Sequence, residues 1–160
     1  MIPAVDGWQL TADLHGCSGA AVRGDAATLR TLALAAVRAA GLSPVGELFH
    51  AFGPDAGVTG VVLLAESHLA LHTWPELGAA TLDVYVCNLS ADNGPRAEAL
   101  LAALEAAFAP ARSERQRLRR GALAHAPDVA PDVAAGVALG IAPGVAPGVT
   151  PGVTPGIAPA

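Results

Sequence analysis

The chain has 160 residues, of which 52% are hydrophobic, and this is enough for one compact domain with its own core. Its formal net charge of −5 excludes the broad basic surface that nucleic-acid binding requires. The sequence contains no lysine, which excludes a pyridoxal-phosphate enzyme, because that cofactor is held as a Schiff base on a lysine.

The first predicted element is a strand over residues 8–15, where apolar and polar side chains alternate. The residues before it contain neither a basic segment nor an apolar one, so we expect no secretory leader. Cys17 and Cys87 are therefore predicted to be free thiols in a reducing cytoplasm.

A helix follows, with Asp25 as its predicted N-cap, Ala40 at its end and Gly41 in the position typical of a helix-terminating glycine. Its apolar side chains recur on one face, at Leu29, Leu32, Ala33, Ala36 and Val37. Further strands are predicted over residues 45–52, 58–65, 68–74 and 81–87, with turns at 53–57 and 75–78.

A second helix is predicted from Asp92, as N-cap, with Pro95 in its first turn. Its inner face consists of Leu100, Leu101, Leu104 and Phe108. A weakly patterned, highly charged strand over Arg112–Leu118 is expected to follow. These elements predict an α+β fold, a two-layer sandwich in which two helices cover one face of a mainly antiparallel sheet. A second copy of the chain is the usual cover for the other face.

The predicted domain ends near residue 120, because the composition changes there. From Pro143 onward a proline recurs every four residues, which prevents a regular helix. Residues 121–160 are therefore predicted to form a disordered, low-complexity tail rather than a membrane-spanning segment.

The reactive side chains concentrate between Glu66 and Glu76, directly after an apolar strand. In an extended segment His72 would lie about 16 Å from Ser67 and on the opposite face, at roughly 3.3 Å per residue. This spacing argues against a catalytic Ser–His pair within one unbroken strand. Spacings typical of zinc ligands are missing from the sequence, so no metal is predicted.

The string Glu-Ser-His-Leu-Ala-Leu-His-Thr-Trp-Pro-Glu at 66–76, followed by Leu-Asp-Val-Tyr-Val-Cys at 82–87, resembles the prokaryotic S-adenosylmethionine decarboxylase family. Further blocks at 10–17, 49–52 and 57–62 are similar to that family, so the resemblance covers roughly residues 8–120. It implies a self-processing decarboxylase that acts on S-adenosylmethionine and supplies the aminopropyl donor for spermidine synthesis.

The resemblance implies that Ser67 Oγ attacks the carbonyl of Glu66 and that the chain is cut between them. The two resulting chains stay together, and a covalent pyruvoyl group derived from Ser67 forms a Schiff base with the substrate. His72 matches the family's proton acceptor in processing, and Thr59 stands where the family usually has serine. Cys87 matches the proton donor in decarboxylation.

The same resemblance implies that Phe52 and Trp74 stack on the adenine of the substrate and that Glu76 binds the ribose hydroxyls. It also implies a homodimer with sites at or near the interface. Leu77 and Gln9 depart from the family, which commonly has tyrosine and histidine there. Two alternatives therefore stay open. One is the same chemistry on a free basic amino acid, ornithine or arginine, and the other is a non-processing homologue with a binding or regulatory role.

Overall fold

The structure, a computed structural model, describes residues 5–53, 56–89 and 91–123. In this part of the chain six strands and two helices follow one another, with single turns of 3₁₀ helix at Ala20–Arg23 and Pro75–Leu77. The strands are β1 (Val5–His15), β2 (Pro44–Ala51), β3 (Val58–Leu64), β4 (Ser67–Trp74), β5 (Ala79–Cys87) and β6 (Arg112–Leu123). The helices are α1 (Ala26–Ala39) and α2 (Gly94–Phe108).

The strands form a single sheet in the order β2-β3-β4-β5-β1-β6, and every pairing is antiparallel. The middle of the sheet is a meander from β2 to β5. The first strand of the chain then inserts between β5 and β6, so it pairs with two strands that follow much later in sequence. The predicted two-layer α+β sandwich is confirmed.

One face of the sheet forms the core. Along β3, β4 and β5 every second side chain is buried on that face, and the side chains between them are largely partly exposed on the other. The buried set packs against both helices. Its strand members include Leu10, Ala12, Leu14, Val62, Leu69, Leu71, Leu82 and Val84, and its helix members include Leu29, Val37, Leu100, Leu101, Leu104 and Phe108. The alternation predicted for β1 and the inner face predicted for α2 are confirmed.

The helix ends depend on short polar contacts. The Asp25 carboxylate accepts a hydrogen bond from the Thr28 backbone N–H at 2.7 Å, as predicted for the N-cap of α1. Gly41, just beyond the end of α1, has φ +74°, a conformation that favours glycine. The N-cap predicted for α2 is one residue wrong: the cap position is Asn93, while Asp92 accepts from the Gly94 N–H at 3.0 Å.

Strand β6 continues to Leu123, beyond the predicted domain boundary at residue 120. The tail predicted for 121–160 lies, from residue 124 onward, outside the described residues, as do residues 54 and 55 of the predicted turn. Within the described ranges, no helix is long and apolar enough to cross a membrane.

The second face of the sheet, which we call the open face, is not covered by either helix. It carries the apolar side chains Leu48, Val61, Leu63 and Ala70, which the register of β2, β3 and β4 brings together. Leu48 is 71% exposed and Leu63 is 51% exposed. Exposed apolar patches are frequent on surfaces through which proteins associate.

Candidate functional site

The connection between β3 and β4 is a tight turn that consists of Ala65 and Glu66, since Leu64 pairs with Ser67 across the hairpin. Glu66 has φ +65°, in the left-handed region that a residue with a Cβ rarely adopts. A non-glycine residue in this conformation costs on the order of 1–3 kcal/mol. The turn therefore stores backbone strain in the residue that precedes the Ser67 amide.

Ser67 lies beside the end of β5, although Cys87 is 20 residues away in sequence. The register of β4 and β5 pairs His68 with Tyr85, which aligns Ser67 with the last residues of β5. As a result, the Cys87 backbone N–H donates a hydrogen bond to Ser67 Oγ at 3.1 Å. Cys87 is buried, with 6% of its surface exposed. We call Glu66, Ser67 and Cys87 the cleavage cluster.

A cavity of about 560 Å³ opens next to the cleavage cluster, and its lining includes Ser67, His68, Tyr85 and Arg120. The centre of the His68 ring lies 5.6 Å from the centre of the Tyr85 ring. The Arg120 guanidinium lies 5.7 Å from the centre of the same tyrosine ring. Arg120 also hydrogen-bonds the side-chain oxygen of Gln9. Polar and aromatic groups thus line the space into which a substrate bound at residue 67 would extend.

Asp83 links these groups to the centre of the open face. Its Oδ2 accepts a hydrogen bond from Gln9 Nε2 at 2.7 Å, while its Oδ1 is 3.7 Å from His68 Nε2. That second distance is too long for a hydrogen bond, and Oδ1 has no partner among the described residues. One carboxylate oxygen therefore remains available for a donor from outside this network.

A second group of predicted site residues lies at the opposite end of the same hairpin. The register pairs Thr59 with His72, and Thr59 Oγ1 is 2.7 Å from His72 Nδ1. The His72 ring is 6.0 Å from the Trp74 ring. His72 and Trp74 line a cavity of about 500 Å³ together with Phe52 and Glu76. We call Thr59, His72, Phe52, Trp74 and Glu76 the histidine cluster.

The aromatic members of the histidine cluster are unusually exposed: 65% of Phe52 and 38% of Trp74 are accessible. Aromatic rings held at a surface cavity are suited to stacking on a planar ligand or facing a cation. Glu76 adds a carboxylate, which accepts hydrogen bonds from hydroxyl groups. The cluster therefore has the chemistry of a nucleoside site.

Within one chain the two clusters do not meet. Ser67 and His72 lie five residues apart on β4, which is about 16 Å at roughly 3.3 Å per residue. The structure therefore brings Ser67 together with Cys87, and His72 together with Thr59 and the predicted substrate-binding residues. Ser67 and His72 stay apart in the structure, and the strand spacing had predicted this separation.

The cleavage cluster fits the pyruvoyl group that the family resemblance implies. Ser67 carries the hydroxyl from which such a group is made, and the Cys87 N–H already donates to the oxygen at this position. Because Oγ would leave with Glu66, the Cys87 N–H would be free to donate to another acceptor beside residue 67. Among the described residues, no group of three or more His, Cys, Asp and Glu side chains is arranged to hold a metal ion.

The second cysteine lies elsewhere. Cys17 follows the end of β1 and donates its backbone N–H to the Gly78 carbonyl at 2.8 Å. Burial raises the pKa of its thiol above the ordinary value of 9.0, because the charged thiolate loses hydration there. A raised pKa makes a thiol less reactive at neutral pH, so Cys17 has the character of a structural rather than a reactive cysteine.

The sequence did not identify Asn93 as a residue of this region. Its side-chain Nδ2 donates to the Cys87 carbonyl at 2.7 Å, in a buried position. The only signal was an asparagine six residues after Cys87, immediately before the Gly-Pro pair that begins α2. Such an asparagine is usually interpreted as a helix cap, so its contact with the strand could not be predicted.

Comparison with known proteins agrees with this geometry. The family model of S-adenosylmethionine decarboxylase matches residues 8–121. A protein of Pyrobaculum arsenaticum named S-adenosylmethionine decarboxylase proenzyme is 45% identical over 83 residues, which are 52% of this chain and 66% of that protein. A protein of the same name from Acidithiobacillus ferrooxidans is 44% identical over 81 residues, 51% of this chain and 59% of that protein. The chain thus spans about three fifths of the length of these curated relatives.

A solved structure is similar over a larger share. The crystal structure of the adenosylmethionine decarboxylase from Aquifex aeolicus matches with a TM-score of 0.64 and 34% identity. The match covers 76% of this chain and 96% of that one. The family resemblance inferred from the motif at 66–76 is therefore confirmed, and the chain belongs to the S-adenosylmethionine decarboxylase family.

Proposed function

We propose that this chain cuts itself between Glu66 and Ser67 and then decarboxylates S-adenosylmethionine. The observation that carries the proposal is the position of Ser67 Oγ, held by the Cys87 N–H directly after the strained residue Glu66. The named relatives are called proenzymes. The family resemblance assigns the cut to Ser67 and the proton acceptor to His72, and this chain has both residues.

The cut begins when Ser67 Oγ attacks the carbonyl carbon of Glu66, so that an ester C–O bond replaces the amide C–N bond and the nitrogen gains a proton. Loss of the Ser67 α-proton then breaks the bond between Cβ and Oγ of residue 67, which releases Glu66 as a carboxylate that keeps the serine oxygen and leaves dehydroalanine at 67. Addition of water and loss of ammonia give the pyruvoyl group. Relief of the left-handed conformation at Glu66 favours the first step.

In the decarboxylation, the pyruvoyl group supplies the ketone that binds the substrate's α-amine and accepts the electron pair that CO₂ leaves behind. The Cys87 backbone N–H contacts Ser67 Oγ, and we assign the Cys87 thiol as the donor of the proton that replaces CO₂. Phe52 and Trp74 would stack on the adenine and face the sulfonium, and Glu76 would accept hydrogen bonds from the ribose. The product would be an aminopropyl donor of the kind used in spermidine synthesis.

A homodimer completes the site in this proposal. Thr59 and His72 are about 16 Å from Ser67 in their own chain, at roughly 3.3 Å per residue, so they can act only on another copy. A two-fold axis through the middle of β4, near Ala70, would set the histidine cluster of one chain against the cleavage cluster of the other. The apolar side chains of the open face would be buried between the two sheets. The two free thiols suit a reducing compartment such as the cytoplasm.

Intact mass spectrometry tests the cut. We expect the native chain to appear as fragments of 66 and 94 residues, the larger blocked by a pyruvoyl group, and the Ser67→Ala chain to stay at 160 residues. A native chain that stays whole after prolonged incubation would contradict the proposal and favour the non-processing homologue.

Mixing two inactive variants tests the dimer. Neither Ser67→Ala nor His72→Ala is expected to be cut alone. In a mixed dimer the Ser67 of one chain meets the His72 of the other, so the His72→Ala chain should be cut and the Ser67→Ala chain should not. The control mixture pairs Ser67→Ala with Ser67→Ala,His72→Ala, in which no complete site exists. If the His72→Ala chain stays whole in the first mixture, the composite site is wrong.

The substrate is tested by CO₂ release from S-adenosylmethionine, ornithine and arginine. The exposed aromatic pair Phe52 and Trp74 favours S-adenosylmethionine, because a free basic amino acid offers no planar ring to stack on. Trp74→Leu should then raise the KM for S-adenosylmethionine by about tenfold, since stacking of a base on an aromatic ring contributes roughly 1–3 kcal/mol. Turnover of ornithine or arginine alone would overturn the assignment.

A further inference from the structure

Asn93 is a buried polar residue, only 9% exposed, and it lies directly behind the cleavage cluster. Its Nδ2 donates to the Cys87 carbonyl at 2.7 Å, and its Oδ1 accepts from Arg96 Nη1 at 3.0 Å. Its backbone N–H donates to Asn88 Oδ1 at 3.0 Å. The side-chain amide is thus hydrogen-bonded through both of its polar atoms.

The orientation of this amide follows from chemistry. A guanidinium only donates hydrogen bonds, so the atom facing Arg96 must be the Asn93 oxygen. The NH₂ group must then face the Cys87 carbonyl, which only accepts. Arg96 therefore selects the orientation in which Asn93 binds the end of β5.

These contacts form a continuous chain of hydrogen bonds that ends at the reacting hydroxyl. Arg96 donates to Asn93, Asn93 donates to the Cys87 carbonyl, and the Cys87 N–H donates to Ser67 Oγ at 3.1 Å. Both backbone polar groups of Cys87 are used, one toward Asn93 and one toward Ser67. The peptide groups on either side of Cys87 are therefore fixed from both directions.

We propose that Asn93 is a positioning residue for self-cleavage and for decarboxylation, which it serves by fixing the backbone of Cys87. Before the cut, the fixed Cys87 N–H holds the Ser67 hydroxyl beside the Glu66 carbonyl. After the cut, the same fixed backbone would set the position from which the Cys87 thiol donates its proton. This inference rests on the proposed function and adds a residue that touches neither the scissile bond nor the substrate.

The side chain of Asn93 does not serve as the helix cap of α2, which separates this role from helix stability. At the N-terminus of α2 the Gly94 N–H is bound by the Asp92 carboxylate at 3.0 Å, and the Asn93 side chain makes no cap hydrogen bond. The Ala97 N–H binds the Asn93 backbone carbonyl at 3.0 Å, a contact that any residue provides. What the Asn93 side chain uniquely supplies is the bond to Cys87.

Asn93→Leu tests the proposal, because the leucine side chain has the same branching and number of heavy atoms but no polar atoms. It leaves the Cys87 carbonyl without its donor, so the backbone of Cys87 loses one of the contacts that fix it. A displacement of about 1 Å at reacting groups costs up to about 100-fold in rate, and we expect cleavage, followed by intact mass, to slow by about 10- to 100-fold. Arg96→Met should slow it less, and the double variant should be no slower than Asn93→Leu alone, because both residues act through one contact.

The matched control is Asp92→Ala, which removes the carboxylate that binds the Gly94 N–H at the start of the same helix and leaves the contact between Asn93 and Cys87 in place. We expect Asp92→Ala to lower the unfolding temperature as much as Asn93→Leu does and yet to be cut within about fivefold of the native rate, because the one hydrogen bond that it loses contributes about 1 kcal/mol. Once Asn93→Leu is fully cut, its kcat should fall while its KM is unchanged, since Asn93 does not contact the substrate.

Two results would overturn the inference: cleavage of Asn93→Leu at the native rate, or equal slowing in Asn93→Leu and Asp92→Ala at equal stability. Either result leaves the proposed function intact, provided that the native chain is cut. A native chain that is never cut would instead reject the proposed function itself.

Discussion

The hydrogen bond between Thr59 and His72 gives a quantitative prediction for self-cleavage. Thr59 Oγ1 lies 2.7 Å from His72 Nδ1. If the threonine oxygen accepts from Nδ1–H, the other ring nitrogen is left free to take a proton from the reacting groups. Thr59→Val keeps the shape of the side chain and removes this acceptor, so it isolates the contribution of one hydrogen bond to proton acceptance.

The expected size follows from the change in charge on His72. A neutral hydrogen bond contributes about 1 kcal/mol, and a bond to a charged group contributes about 1.5–3 kcal/mol. If His72 accepts a proton in the proposed cut, the bond strengthens by roughly 0.5–2 kcal/mol, which corresponds to about 2- to 30-fold in rate. Thr59→Ser keeps the oxygen and should be cut within about twofold of the native rate.

The assay is a time course of intact mass after rapid cell-free synthesis, so that cleavage is followed from an uncut start. His72→Ala serves as the uncut reference. Cleavage of Thr59→Val at the native rate would refute the reasoning, and so would a Thr59→Ser chain as slow as Thr59→Val. An effect below about twofold would indicate that water replaces the threonine oxygen, as expected if His72 stays as exposed during the reaction as it is in a single chain.

Three further predictions concern stability. Phe108→Ala should lower the free energy of unfolding by about 3–5 kcal/mol in urea titrations, because this fully buried ring lies in the core and leaves a cavity, whereas an unchanged midpoint would contradict that packing. Gly57→Ala should destabilise the chain and slow its cleavage, because a Cβ would lie 1.9 Å from the Thr73 carbonyl oxygen; a variant as stable as the native chain would show that this strand can move aside. The hydrogen bond from Thr28 lowers the pKa of Asp25 below 3.8, so the stability that Asp25 provides is present above that pH and is lost as the pH falls through the lowered value. Asp25→Ala should therefore unfold at a lower temperature than the native chain at pH 7, and this difference in unfolding temperature should disappear in strong acid. A difference that does not change with pH would exclude a charged N-cap.

The elements of the fold were predictable where local signals decide them. Asp25 and Gly41 mark the two ends of α1, because helix capping depends on residues only a few positions apart. Alternation in β1 and the apolar face of α2 gave the buried side of each element. The full length of β6 was not predictable, because its exposed, arginine-rich sequence has little periodicity and its strand conformation depends on pairing with β1.

The site was predictable by residue type and not by contact. The motif around Ser67 identified the candidate groups through the family resemblance, and strand spacing alone separated Ser67 from His72. The bond from the Cys87 N–H to Ser67 depends on the register of β4 and β5, which no local pattern specifies. Asn93 was missed for the same reason, since its partner lies on another element.

The placement of β1 has a consequence for what happens to the chain once it is cut. The break would leave β1, α1, β2 and β3 on one polypeptide and β4, β5, α2 and β6 on the other, yet β1 lies between β5 and β6. The two fragments share one sheet, so they cannot separate unless β1 loses its hydrogen bonds to both β5 and β6. The cut would thus break a covalent link without creating subunits that can separate in the folded state. After unfolding, the two fragments of a cut molecule would have to associate again in solution before either could refold.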